Sequence, residues 1–130
     1  MVHMAQIMLY QYTIGSCRCC TSRQRFVLLQ GGYDLTVGTS EHGSVTLAAE
    51  LQLPRFQHLL VAFGGPKGLE DAFQRDPAVS VTRPLDPNDA FHIYINTCPD
   101  QGSRTIRTEE AVLISMSYLQ PAMRAAAGRT

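Results

Sequence analysis

The residues able to do chemistry fall in three short stretches: Gly38-Thr39-Ser40-Glu41, Gly64-Gly65-Pro66-Lys67-Gly68, and Asn96-Thr97-Cys98-Pro99-Asp100-Gln101-Gly102-Ser103. Gly64 and Gly65 read either as a plain turn or as backbone that a ligand approaches closely. A hydroxyl at Ser103 or Thr105 suits the cap of a following helix, whose first amide groups would then face an acceptor. Arg104 and Arg107 stand near the same helix end, where positive charge opposes the macrodipole. They read either as surface arginines paired with Glu109 and Glu110 or as a guanidinium pair for RNA phosphate or a target base. Elsewhere the signals are thinner. His42, His58 and His92 have no metal-ligand spacing, and Cys98 has no adjacent base. Cys17, Cys19 and Cys20 crowd together, but no second CxxC or HxxxH pair completes a zinc spacing, so no metal is expected. Neither GxGxxG nor a GKS or GKT phosphate loop occurs.

Those stretches need elements to hold them. Phe26 to Leu29 and Asp34 to Val37 are short apolar runs that read as strands ending at glycines. His58 to Phe63 is continuous and apolar, as expected of a central parallel strand buried on both faces, and Phe91 to Ile95 is the next strand. Ser44 to Leu53 has helix-compatible content until Pro54. Gly68 to Gln74 suits a short helix, and Thr105 to Leu119 a long one that Pro121 ends. Asp76-Pro77 and Pro84 to Asn88 mark loops. This alternation predicts an α/β layer with a parallel sheet. In such a sheet the carboxyl ends of the strands share one edge, so the three polar stretches converge there. Met1 to Arg25 shows little periodicity and reads as a poorly determined leader, leaving residues 26–130 as the domain.

At 130 residues, the chain has room for one packed core. Its 45% apolar and 17% charged residues exclude a disordered tail or a charged rod. Acidic and basic residues both number 11, so bulk attraction cannot draw in nucleic acid and any polyanion must meet a local patch. The basic set is Lys67 with ten arginines, which favours planar, bidentate recognition. No apolar run approaches a membrane span. The stretch Met1 to Ser16 makes a poor secretion signal, so the expected location is intracellular, nucleus or cytoplasm.

The run Asn96 to Ala111, preceded by Ala62-Phe63-Gly64-Gly65-Pro66-Lys67-Gly68-Leu69-Glu70 and Gly32-Tyr33-Asp34-Leu35-Thr36-Val37-Gly38-Thr39-Ser40-Glu41, resembles the carboxy-terminal part of the SPOUT-class RNA methyltransferases. Three blocks in the right order over roughly residues 31–130 make the resemblance specific, closest to animal members associated with centromeres and the mitotic spindle. It implies a trefoil-knotted α/β sheet flanked by helices, here expected to be incomplete at its amino-terminal half. It also implies an S-adenosylmethionine pocket formed by the three loops. Gly64 and Gly65 would flank the cofactor through backbone, while Gln101, Gly102, Ser103, Thr105 and Ile106 line the knot. Thr39, Ser40 and Asn96 complete the pocket. Arg104, Arg107 and Asn96 would orient the RNA, with Glu109 as a further hydrogen-bond partner. The resemblance implies methyl transfer to an RNA base or ribose, ribosomal RNA included, by a homodimer with spindle or centromere partners. Two other readings stay open: a catalytically silent dimerisation or interaction module, and a generic nucleotide-binding α/β domain. Whether the short chain is itself an enzyme turns on the expected missing half.

Overall fold

A computed structural model describes residues 2–4, 33–65, 67–75 and 86–127. The apolar run at the centre of the sequence becomes strand β3 (Leu59–Phe63), and all five of its residues are buried. Strand β1 (Val2–Met4) pairs along one side of β3, and β2 (Leu35–Val45) along the other. Beyond β2 lies β4 (Ile93–Asn96), giving the order β1-β3-β2-β4 with every pairing parallel. The chain steps from β2 to β3 in one direction and then crosses back over β2 to reach β4. That reversal gathers the loops after the strands at the carboxyl edge of the sheet.

Period-two alternation divides the core between two faces. Leu35, Val37, Leu59, Val61, Phe63 and Ile95 pack with Leu119 of helix α3 (Thr108–Ala126), flanked by Val112, Met116 and Met123. On the opposite face, Ala62 and Tyr94 pack with Phe91, Leu69 and Phe73 of α1 (Gly68–Arg75) and Ala90 of α2 (Pro87–Ala90). Phe91 stacks on Tyr94 and meets Phe73 edge-on. Each fully buried Leu or Phe contributes about 1.5–3 kcal/mol. The strand starts are tied together by Asp34, whose carboxylate accepts the N–H groups of Gln57 (2.6 Å) and His58 (2.7 Å). These bonds, led by that from Gln57, hold its carboxyl below the usual aspartate range.

Several expectations need correction. The segment 44–53 is not a helix: β2 continues to Val45, a turn follows at residues 48–50, and the chain then runs irregularly into β3. β-Branched Val45 and Thr46 favour extended chain. Ser44 Oγ donates to the Tyr94 carbonyl (2.9 Å), and the Tyr118 hydroxyl donates to the Thr46 carbonyl. Leu51, Leu53 and Phe56 pack against the core from this irregular stretch. Within the leader, Val2–Met4 is a strand, because β3 offers it an open parallel edge. Pro121 does not end α3, which runs on to Ala126. The ring removes one backbone donor and leaves the Ser117 carbonyl without its helical bond. Buried Leu119 and Ala122, on either side of the proline, anchor the helix through that gap. The helix also begins later than expected, at Thr108 with Arg107 as its N-cap, so neither Ser103 nor Thr105 caps it. Arg107 has no side-chain acceptor; its backbone N–H instead donates to Glu110 Oε2 (3.1 Å). The strand expected at Phe26 to Leu29, the Asp76-Pro77 loop and Cys17, Cys19 and Cys20 lie outside the described residues.

Candidate functional site

The carboxyl edge is shaped by an interruption in β2. Thr39 and Ser44 both align with Ile95 on β4, so Ser40 to Gly43 leave the ladder as a four-residue excursion. Gly43 permits this, since a Cβ there would lie 2.3 Å from the Ile95 carbonyl carbon. At its start, Thr39 Oγ1 donates to the Ala62 carbonyl (2.9 Å). Ser40 Oγ donates to Glu70 Oε1 on α1 (2.5 Å) and accepts the His42 N–H (3.1 Å). The Tyr94 hydroxyl donates to the same Glu70 oxygen. Burial alone would raise the Glu70 carboxyl, but the Ser40 and Tyr94 hydroxyls outweigh it and hold the group below the usual glutamate range. Burial first, and then the Glu70 contact, push the Tyr94 phenol well above its ordinary value.

Asn96 joins this excursion to the next loop. It is buried at 9% exposure, its Nδ2 donates to the Glu41 carbonyl (3.0 Å), and its Oδ1 accepts the Cys98 N–H (2.9 Å). Both ends of its amide are therefore occupied within the protein. Cys98 begins the wall of a cavity of about 470 Å³ that also includes Asp100, Gln101, Gly102, Ser103, Ile106 and, from α3, Glu110, Leu113 and Ile114. The cavity is an open depression at the surface, not an enclosed pocket. Inside the loop, Gln101 Nε2 donates to the Ser103 carbonyl (2.7 Å), and Ser103 Oγ donates to the Thr105 carbonyl (3.0 Å). Thr97 and Ser115 share a hydroxyl hydrogen bond (2.7 Å) that moors the loop to α3.

The glycines divide by cause. Gly68 adopts a positive φ of 82°, and Gly64 lies so close to it that a Cβ would fall 2.4 Å from the Gly68 carbonyl carbon. Gly64 is therefore demanded by the turn itself. At Gly65 and Gly102 a Cβ would meet nothing within 4 Å, so internal packing does not require a glycine at either place.

Of the expected cofactor residues, the structure brings Gln101, Gly102, Ser103 and Ile106 together around the cavity. Thr39, Ser40, Gly64, Gly65, Asn96 and Thr105 do not line it. Thr39, Ser40 and Asn96 instead brace the excursion. Arg104, Arg107 and Glu109 are exposed beside the cavity, outside its walls. Sequence reasoning did not assign Asp100, Glu110, Leu113 and Ile114 to the wall, although Asp100 lies in the third polar stretch, and it missed Glu70 with Tyr94 as the brace. One signal was present for the wall. The run Ala111-Val112-Leu113-Ile114 cannot place four consecutive apolar side chains on one helical face, so part of it must face outward. Leu113 is accordingly 73% exposed and Ile114 37%.

A family model described as "Putative RNA methyltransferase" matches residues 10–119. The chain belongs to this family. The match reaches back into the stretch 1–25 that was expected to stand apart from it. Among curated relatives, the human 28S rRNA (uridine-N(3))-methyltransferase is 49% identical over 118 residues, covering 91% of this chain and 30% of the relative. The mouse 28S rRNA (uridine-N(3))-methyltransferase is 51% identical over 112 residues, covering 86% and 28%. The Drosophila melanogaster protein of the same name is 47% identical over 89 residues, covering 68% and 18%. This family member thus spans less than a third of the length of the relatives it matches.

Proposed function

We propose that this chain is the cofactor-binding part of an S-adenosylmethionine-dependent RNA methyltransferase whose acceptor is N3 of a uridine in ribosomal RNA. The observation that carries the reading is the cavity at the carboxyl edge, where four residues singled out for the cofactor meet an apolar helix face. The donor set suits the cofactor. Ile106, Leu113 and Ile114 offer an apolar wall to an adenine ring, and Asp100 and Glu110 offer carboxylates to ribose hydroxyls or an ammonium group. Gly102 leaves room for close approach. Bound there, S-adenosylmethionine would supply a methyl group on a sulfonium centre. The chain's own contribution is to hold the acceptor in line and to keep water away. Arg104 and Arg107, exposed beside the cavity mouth, serve to bind RNA phosphate or orient the acceptor base.

Further features belong to the same reading: a SPOUT-type knot around the cofactor loop, a homodimer formed through the exposed side of α3, and action in the nucleus or cytoplasm with association at the spindle or centromere. Calorimetric titration of residues 1–130 with S-adenosylmethionine and S-adenosylhomocysteine tests the core of the proposal. Binding near micromolar, worth about 8 kcal/mol, is expected. A folded sample that binds neither compound refutes it.

A further inference from the structure

Resting on the reading of this chain as a uridine-N3 methyltransferase, we infer that His42 is the proton acceptor for the reaction. The N3 of a neutral uridine carries a hydrogen, so methyl transfer to it requires a base. The proton goes to His42, the N3 electron pair forms the bond to the methyl carbon, and the carbon–sulfur bond breaks with its electrons retained on sulfur.

The placement of His42 is the argument. It sits at the tip of the Ser40–Gly43 excursion, which leaves the β2–β4 ladder. The excursion is braced on both sides. Ser40 ties it to Glu70, which Tyr94 also holds, and the buried Asn96 amide ties the Glu41 carbonyl to the Cys98 N–H in the cavity wall. One amide group therefore spans from the backbone next to His42 to the cavity, and the His42 N–H is itself fixed on Ser40 Oγ. Bracing of this kind holds the backbone that carries the imidazole at a defined position, as proton transfer needs. The imidazole is open to an incoming substrate, with its side chain 68% exposed.

Its chemistry is directed as well. Glu41 Oε1 lies 3.5 Å from His42 Nε2, so a carboxylate stands beside the imidazole. Among the described residues, the Glu41 carboxylate lies beside the imidazole, and the Glu70 carboxylate of α1, held by Ser40 and the Tyr94 phenol of β4, is bound two residues away from it. Glu41 and Glu70 act as positioning residues here.

Binding of single-stranded oligouridylate, and of the same oligomer carrying 3-methyluridine, tests this without turnover, with S-adenosylhomocysteine present throughout. Only the unmethylated base has an N3–H to donate to His42. The wild-type chain is expected to bind oligouridylate about tenfold more tightly than its methylated counterpart, the effect of one hydrogen bond to a well-placed acceptor. H42A should lose that preference while keeping affinity for the methylated oligomer, and should lower methyl transfer about 100-fold. Equal binding of the two oligomers by the wild type, or a preference that survives in H42A, overturns the assignment of His42 and leaves the RNA reading standing. If the wild type binds neither oligomer, the RNA reading falls and the assignment falls with it.

Discussion

Replacing Tyr94 with Phe removes one hydroxyl from the site brace and leaves the aromatic packing in place. Tyr94 is 7% exposed, and its hydroxyl donates to Glu70 Oε1, which also accepts from Ser40. A hydrogen bond to a charged acceptor contributes about 1.5–3 kcal/mol net, and because Glu70 is only half-buried and water can reach it, the lower end of about 1.5 kcal/mol applies. The pH dependence gives the sharper test. Although burial opposes it, the two hydroxyls hold the Glu70 carboxyl below its ordinary 4.5. A lowered folded value means the stabilisation is fully present above the unfolded value and is lost as pH falls through the folded one. Y94F should therefore cost about 1.5 kcal/mol at pH 7 and progressively less below pH 4.5. Urea unfolding at pH 7, 5 and 3, followed by circular dichroism, reads this directly. S40A should follow the same trend, and the double variant should depart from the sum, because both hydroxyls share one acceptor. A Y94F cost below about 0.5 kcal/mol at pH 7, or one equal at pH 7 and pH 3, would refute the reasoning.

Asp34→Ala removes the acceptor for two N–H groups at the start of β3 and should cost about 1 kcal/mol in denaturant unfolding. That difference should vanish in acid, because a carboxyl held below its usual range loses its contribution as pH falls through its folded value. Gly43→Ala forces a Cβ against the Ile95 backbone and should cost about 2 kcal/mol, seen as a lowered Tm. Gly102→Ala meets no protein atom and should leave stability within about 0.5 kcal/mol, yet weaken S-adenosylhomocysteine binding in calorimetry because it narrows the cavity. Pro121→Ala restores a donor for the Ser117 carbonyl at an exposed position and should stabilise the chain by about 2 kcal/mol. An unchanged Tm would mean that the helix has relaxed around the proline.

What the sequence made legible were the features whose cause is local. A continuous apolar run such as Leu59 to Phe63 has one good home, a strand covered on both faces, and it took that home. Gln101, Gly102, Ser103 and Ile106 were singled out through the family resemblance, and one short loop carries them into contact with the helix that follows. The features that escaped depend on partners far along the chain. Ser44 to Leu53 has helix-compatible composition, but Tyr94 and Tyr118, 50 and 72 residues away from their contacts on it, hold its start extended. Nothing near Gly43 announces that β2 leaves its ladder there, because the requirement comes from the backbone of Ile95. Asn96 is the most instructive case. Residue type and position recommended it as a group that touches substrate, and only its two occupied amide atoms reveal that it holds the backbone beside His42. Asn96→Asp would separate the two roles, since a carboxylate still accepts the Cys98 N–H but cannot donate to Glu41 and repels its carbonyl. A positioning Asn96 then predicts that N96D, like H42A, loses the preference for unmethylated over 3-methylated uridine while S-adenosylhomocysteine still binds. A substrate-touching Asn96 predicts weaker binding of both oligomers alike.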